Sequence, residues 1–191
     1  MAVHPFTQAF GEPLAGTAVS APSLGLAGSV TPPGPTALGV FRGGLLSVCS
    51  CRENGGDLGP WAAYLPSGAR LFASSAFGFM VALAGDSLWV INPHYGQVVE
   101  SDLSLHEFWS VMSEPAARDD HLQEPLFGQW QALNPQPLIT EWLCPTPAIA
   151  LAGNWSVSTL KPMTPAVMLS FTAQLFSAQG RDAVEVRRLG T

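Results

Sequence analysis

Apolar and polar positions along this chain follow two rhythms, and the change between them falls near residue 100. From Ala37 onward the rhythm is that of short strands: Leu38, Val40 and Phe41, then Leu45 to Cys49, ahead of a polar turn at Glu53-Asn54-Gly55-Gly56-Asp57. Three runs follow at hairpin spacing, Arg70 to Ser74, Phe77 to Leu83 and Leu88 to Ile91, with Gly85-Asp86 and Asn92-Pro93 as the turns between and after them. Gln97 to Glu100 reads as one more short strand. An antiparallel meander is the economical way to pair runs joined by such short connections.

After residue 100 the period becomes helical. Leu105, Phe108, Trp109 and Met112 stand at i, i+3, i+4 and i+7, one apolar stripe, and Ser104 with Glu107 frames its start as a capping box. Gln123 to Leu133 predicts a second helix that buries Leu126, Phe127 and Trp130, with Pro125 in its first turn. Thr164-Pro165 opens a third, running to about Ala178, with Met168, Phe171 and Leu175 on the buried side. Between the last two, Ala148 to Leu151 and the Gly153-Asn154 turn read as a central strand. The class expected is α+β, an antiparallel sheet of about five to six short strands packed with about three helices.

The ends differ from the middle. Residues 11 to 39 carry one charge, Glu12, and many Gly, Pro, Ala and Ser, including Thr31-Pro32-Pro33-Gly34-Pro35, where no period survives. Residues 1–40 are therefore expected as a Pro/Gly-rich N-terminal segment that either wraps a main domain at 41–180 or is annexed to it, and residues 181–191 as a basic C-terminal tail.

Composition narrows the function classes. Charged residues are only 12% of the 191, so Gly, Pro and apolar side chains must cover much of the surface and leave room for a partner-binding face. The uncharged run from Phe72 to Gly85 is too short for a bilayer, which needs about 20 apolar residues. The N-terminal residues Met1 to Phe6 lack the basic and apolar regions of a signal peptide, and the expected location is the cytoplasm. Three cysteines, Cys49, Cys51 and Cys144, fit reduced thiols better than a disulfide framework, and their spacing makes no zinc site.

Charge is the most informative bulk property. Between Arg70 and Lys161 stand nine acids against a single base, Arg118. Such a field repels phosphate backbones and steers basic proteins inward, which disfavours direct nucleic-acid binding and favours a basic protein partner. The contiguous acidic candidates are Glu100, Asp102, Glu107, Glu114, Asp119, Asp120 and Glu124, with the aromatic Tyr95 as an apolar anchor. The acids near helix starts, Asp119, Asp120 and Glu124, also have an ordinary role as partners of helix dipoles.

No phosphate-binding loop, His-Glu-x-x-His or Gly-x-Ser-x-Gly pattern occurs, so no catalytic residue, metal or cofactor is expected. The enzyme alternative is a hydrolase using Glu141, a lone carboxylate among apolar neighbours, with His94 of the Asn-Pro-His-Tyr-Gly turn. A secretion accessory or chaperone subunit is the other alternative, since it too would be acidic and apolar-faced.

The order of the elements carries a resemblance. Phe77-Gly78 opening a strand, the W-x-x-N-P-x-Y-G series from Trp89 to Gly96, and L-x-E-F-W from Leu105 to Trp109 resemble the GAD-like proteins associated with type VI secretion immunity. Pro137 to Cys144 and Pro147 to Gly153 continue the series, which spans about residues 72 to 176, and Phe6 to Pro13 is similar to the start of a GAD-like region. Cys144 and Ala152 depart from the family pattern, standing where Tyr and Gly are usual. The resemblance implies an antidote that forms a heterodimer with a secreted DNase toxin and blocks it stoichiometrically, protecting the producing cell and its kin.

Overall fold

A computed structural model of the chain describes residues 5–17, 19–20, 37–48, 55–179 and 184–188. Its class is α+β. One sheet runs in the order β1 (Val19–Ser20), β2 (Ala37–Phe41), β3 (Leu46–Val48), β4 (Arg70–Ser75), β5 (Met80–Ala84), β6 (Ser87–Asn92), β7 (Gln97–Ser101) and β10 (Glu185–Arg187). The first seven strands form an antiparallel meander in chain order, of which the hairpin spacing predicts β4 to β7; β10 then pairs in parallel with β7. Ala84 faces Ser87 across the tightest hairpin, where Gly85 holds φ 60°, the left-handed conformation its turn position requires. A separate ribbon pairs β8 (Trp142–Pro145) with β9 (Leu160–Met163).

Both faces of the sheet are covered, and that is why β4 to β6 read as nearly continuous apolar runs rather than a clean alternation. On one face, Phe72, Val81 and Leu88 pack against α1 (Pro5–Phe10), α2 (Leu105–Met112) and α4 (Glu124–Leu133), which contribute Phe6, Phe10, Phe108, Trp109, Met112, Phe127 and Trp130. On the other, Met80, Trp89 and Ile91 meet Leu58 and Trp61, from a run of 3-10 turns at Gly55–Tyr64, and Met168, Leu169 and Phe176 of α5 (Pro165–Gln179).

The helix signals hold where they rest on caps. Ser104 Oγ accepts the Glu107 amide and the Glu107 carboxylate accepts the Ser104 amide at 2.9 Å, closing the capping box of α2. Pro125 stands in the first turn of α4.

Three expectations need correction, and one alternative is decided. Ala148 to Leu151 is not a strand: Leu151 and Ala152 donate back to Ala148 and Ile149, making a 3-10 turn that ends in left-handed Ala152. Locally satisfied amides leave nothing to pair across a sheet, so the strand of this region lies upstream, at β8. In α5 the buried positions are Met168, Leu169, Thr172, Ala173 and Phe176, while Phe171 and Leu175 are half-buried. That helix is apolar nearly all round, so its period did not fix its phase. Of the two arrangements expected for the N-terminal segment, its described part lies against the main domain, since Phe6 sits edge-on to Phe41 and Trp109 at 5.1 and 5.0 Å inside the main core. The C-terminal stretch is not only a tail: Glu185–Arg187 is a strand, with Val184 buried beside it. Of the polar turn expected at Glu53 to Asp57, the described part opens the run of 3-10 turns that continues to Tyr64, a run with no helical period to mark it.

Among the described residues no helix is long and apolar enough to cross a membrane. Cys144 is buried, its thiol pushed upward in pKa by loss of water, while Cys49 and Cys51 lie outside the described residues.

Candidate interaction surface and cleft

The acids marked by the sequence divide into three groups once their elements are placed. Glu107, Val111 and Glu114 recur at i, i+4 and i+7 on and just after α2, opposite its buried stripe, and all three are exposed. Asp102 is exposed just before that helix, and Asp119 and Asp120 are exposed in the π-helical turn Arg118–Leu122 that follows the short α3 (Pro115–Ala117). Hydrogen bonds from the Ser104 side chain and amide hold the Glu107 carboxyl below the usual carboxylate range.

Glu100 and Glu124 do not join this surface. Glu100 is half-buried on β7 opposite Trp89, so it stands on the sheet face that packs against α5, not on the face covered by α2. Glu124 is turned into the structure, where its carboxylate meets Arg42 and, at 2.6 Å, the Arg118 Nε. Arg118 also donates to the Ser113 carbonyl and lies over the Phe10 ring at 5.9 Å, leaving its side chain 12% exposed. The single base of the acidic stretch is thus used internally. Asp102, Glu107, Glu114, Asp119 and Asp120 face solvent without an ion pair to a lysine or arginine of that stretch.

Two of the marked residues, far apart in sequence, meet in a cleft. The β4–β5 turn, the β6–β7 turn and the π-helical turn converge on about 170 Å³ of open space lined by Phe77, Phe79, Asn92, His94, Tyr95, Asp120, His121, Gln123 and Trp155. Each wall has a local cause. Ser75 Oγ accepts the Phe77 and Phe79 amides, folding the β4–β5 turn, and Gly78 at its tip has φ 75°. Asn92 Oδ1 accepts the His94 amide, and Gly96, φ 64°, returns the chain to β7. Gln123 is left-handed, φ 54°, where the π-helical turn breaks into α4. Such wide turns are frequent at functional sites.

Trp155 ties the walls together. Its ring meets the edges of Phe77 and His94 at 5.5 and 4.8 Å, and its indole N–H donates to the Tyr95 hydroxyl at 2.9 Å. Tyr95 nevertheless remains 48% exposed. His121 stacks on Phe79 across the opening at 6.0 Å.

His94 is the chemically unusual member. Its ring is buried, and Nε2 lies 2.8 Å from the Phe77 carbonyl, an oxygen that can only accept. Nε2 therefore carries the proton. Burial lowers the imidazole to a pKa of about 4 against a partial opposing effect of that hydrogen bond, so the ring is neutral at pH 7 and Nδ1 is a bare acceptor. Nδ1 has no partner, an unusual state for a buried polar atom.

Glu141 is exposed and does not line this cleft, so the pairing with His94 that a hydrolase would need is not assembled. Among the described residues no three His, Cys, Asp or Glu side chains are placed to hold a metal ion together. Sequence reasoning singled out the Asn-Pro-His-Tyr-Gly turn but missed its partner, Trp155, which lies 60 residues beyond Tyr95 with no local signal of the contact. The aromatic pair Phe77 and Phe79 flanking Gly78 was the available clue to the opposite wall.

No family model and no curated protein matches the chain. Among solved structures, the crystal structure of Atu4351 from Agrobacterium tumefaciens is similar, with a TM-score of 0.51 at 17% identity over 73% of this chain and 71% of that one. At such an identity the likeness is one of fold: this chain shares a mixed α+β architecture with Atu4351.

Proposed function

We propose that this protein is a cytoplasmic immunity protein that binds a basic nuclease toxin and neutralises it stoichiometrically, sparing the producing cell. The observation that carries the reading is the inward placement of Arg118. Paired with Glu124 and capped by the Ser113 carbonyl, it leaves the outer side of α2 and the π-helical turn acidic, with no exposed lysine or arginine. A nuclease must present a basic face to its substrate, and such a surface is its electrostatic complement. Val111 at 40% exposure between Glu107 and Glu114, and Tyr95 beside Asp120, supply the apolar contacts that a charged rim surrounds. The GAD-like series of motifs supports the same reading and supplies the class of partner.

The test is direct. The chain, tagged in its host, should bring down one stoichiometric basic nuclease, whose activity ends near one equivalent of added protein. Asp119→Lys with Asp120→Lys should slow association by about tenfold or more while leaving Tm within a few degrees, because exposed charges contribute little to folding. Association should also slow as salt rises, since screening shortens the field to about 8 Å at physiological ionic strength. A salt-independent rate, unaffected by the reversals, would refute the electrostatic basis of the reading.

A further inference from the structure

We propose that a cavity at the N-terminus of α5 binds a carboxylate borne on a small apolar body. The cavity lies on the sheet face away from α2 and its acids, and its chemistry is independent of the immunity reading.

The floor is polar at its centre. On β3 and β4 Ser47 stands opposite Ser74, and Ser74 in turn stands opposite Met80 on β5. Leu46 and Val48 pack into the core beneath α2 and Met80 into the core beneath α5, so both serine side chains are on the α5 side. There about 470 Å³ of open space separates them from the first turn of α5, with Leu71, Trp142 and Leu169 as apolar walls. Ser74 is only 4% exposed, and its hydroxyl has no hydrogen-bond partner. Unlike His94 Nδ1 and the Trp89 and Trp109 indoles it is not sealed in, so the surface it keeps opens on the cavity. A buried hydroxyl left unmet is uncommon.

The helix end sets the charge. α5 is 15 residues long and has no acid in its first turn. The Met168 amide donates to the Thr164 carbonyl, and the Ala166 and Val167 amides before it have no acceptor. Thr164 supplies none, since its hydroxyl makes no hydrogen bond, although Thr164 and Ala166 both line the cavity. Glu141, next to Thr140 of the rim, is exposed and outside the lining, so no carboxylate of the described residues fills the place. A helix end worth about half a positive charge thus faces an unmet hydroxyl. No Lys, Arg or His lines the cavity, so a single negative charge suits it better than the nearly two of a phosphate monoester. A carboxylate can accept from helix amides and a hydroxyl at once. The volume falls within the range of small-ligand pockets, and the leucine and indole walls suit an apolar body.

The experiment uses the whole protein, isotope-labelled, with phenylacetate as probe. Binding is followed by NMR at the Ala166 and Val167 amides. We expect saturable shifts at both in the millimolar range, downfield as the amides gain an acceptor. Phenylacetamide, neutral and of the same shape, should bind about tenfold more weakly or not at all, and inorganic phosphate should cause no saturable shift. Ser74→Ala should weaken the acid several-fold with Tm unchanged, since a hydroxyl without a partner has no bond to lose. N-acetyl-alanyl-phenylalanine separates the two sources of such a group. Binding tighter than that of phenylacetate assigns the carboxylate to a polypeptide C-terminus, and weaker binding assigns it to a free acid. Equal binding of acid and amide, a preference for phosphate, a Ser74→Ala protein with undiminished affinity or a lowered Tm, or no shift at Ala166 and Val167 would overturn the site.

Discussion

Acidification should destabilise this protein through His94 before its carboxylates begin to titrate. In the unfolded chain the imidazole takes a proton near pH 6.5, but in the fold burial holds it off until about pH 4. Between those values the unfolded state binds more protons than the native state, so stability is fully present above pH 6.5 and is lost as pH falls toward 4. At about 1.4 kcal/mol per pH unit the whole window is worth about 3 kcal/mol. Roughly 2 kcal/mol of it should appear between pH 6.5 and 5, where most carboxylates remain ionised. The assay is urea unfolding at a series of pH values for the natural protein and His94→Gln. Groups common to both proteins cancel in the difference. The variant will be weaker at pH 7, having lost the bond to the Phe77 carbonyl, but its stability should fall less steeply on acidification. Parallel pH profiles for the two proteins, or a His94 ring that titrates near 6.5 in the folded protein by NMR, would refute the reasoning.

Two further substitutions probe how the acidic surface and the core are joined. Glu124→Ala should lower stability by about 2 kcal/mol in urea melts, because it leaves the largely buried Arg118 without its carboxylate; the half-exposed Arg42 contact adds little to that. Gly44→Ala should cost about 3 kcal/mol and lower Tm by roughly 6 to 12 °C, since Gly44 has φ 113° and a Cβ there would stand 2.1 Å from the Leu138 carbonyl, backbone that cannot yield without releasing the loop ahead of β8.

The sequence was most informative where structure is decided locally. The hairpin turns and the Ser104–Glu107 cap are written within a few residues of one another, and the meander and α2 follow from them. It was least informative where a segment is apolar on every side, as in α5, or where the chain satisfies its own amides, as at Ile149–Leu151. The candidate surface divides in the same way. Exposure of Glu107 and Glu114 follows from helical phase, but the withdrawal of Glu124 depends on Arg42, 82 residues away. The orphaned His94 nitrogen depends on Phe77 and Trp155 together. Contacts of such separation leave no periodic trace.

The parallel pairing of β10 has a consequence for the cleft at the start of β7. The Glu185 amide donates to the Gly96 carbonyl at 2.7 Å, so the last strand laid against the sheet also clamps the residue that closes the Asn-Pro-His-Tyr-Gly turn. Three residues long and exposed along its length, β10 is among the cheapest parts of the fold to open. Its detachment would bare the backbone edge of β7 and unpin Gly96 in one event, making edge protection and the rigidity of the His94–Tyr95 wall a single cooperative unit rather than two separate properties.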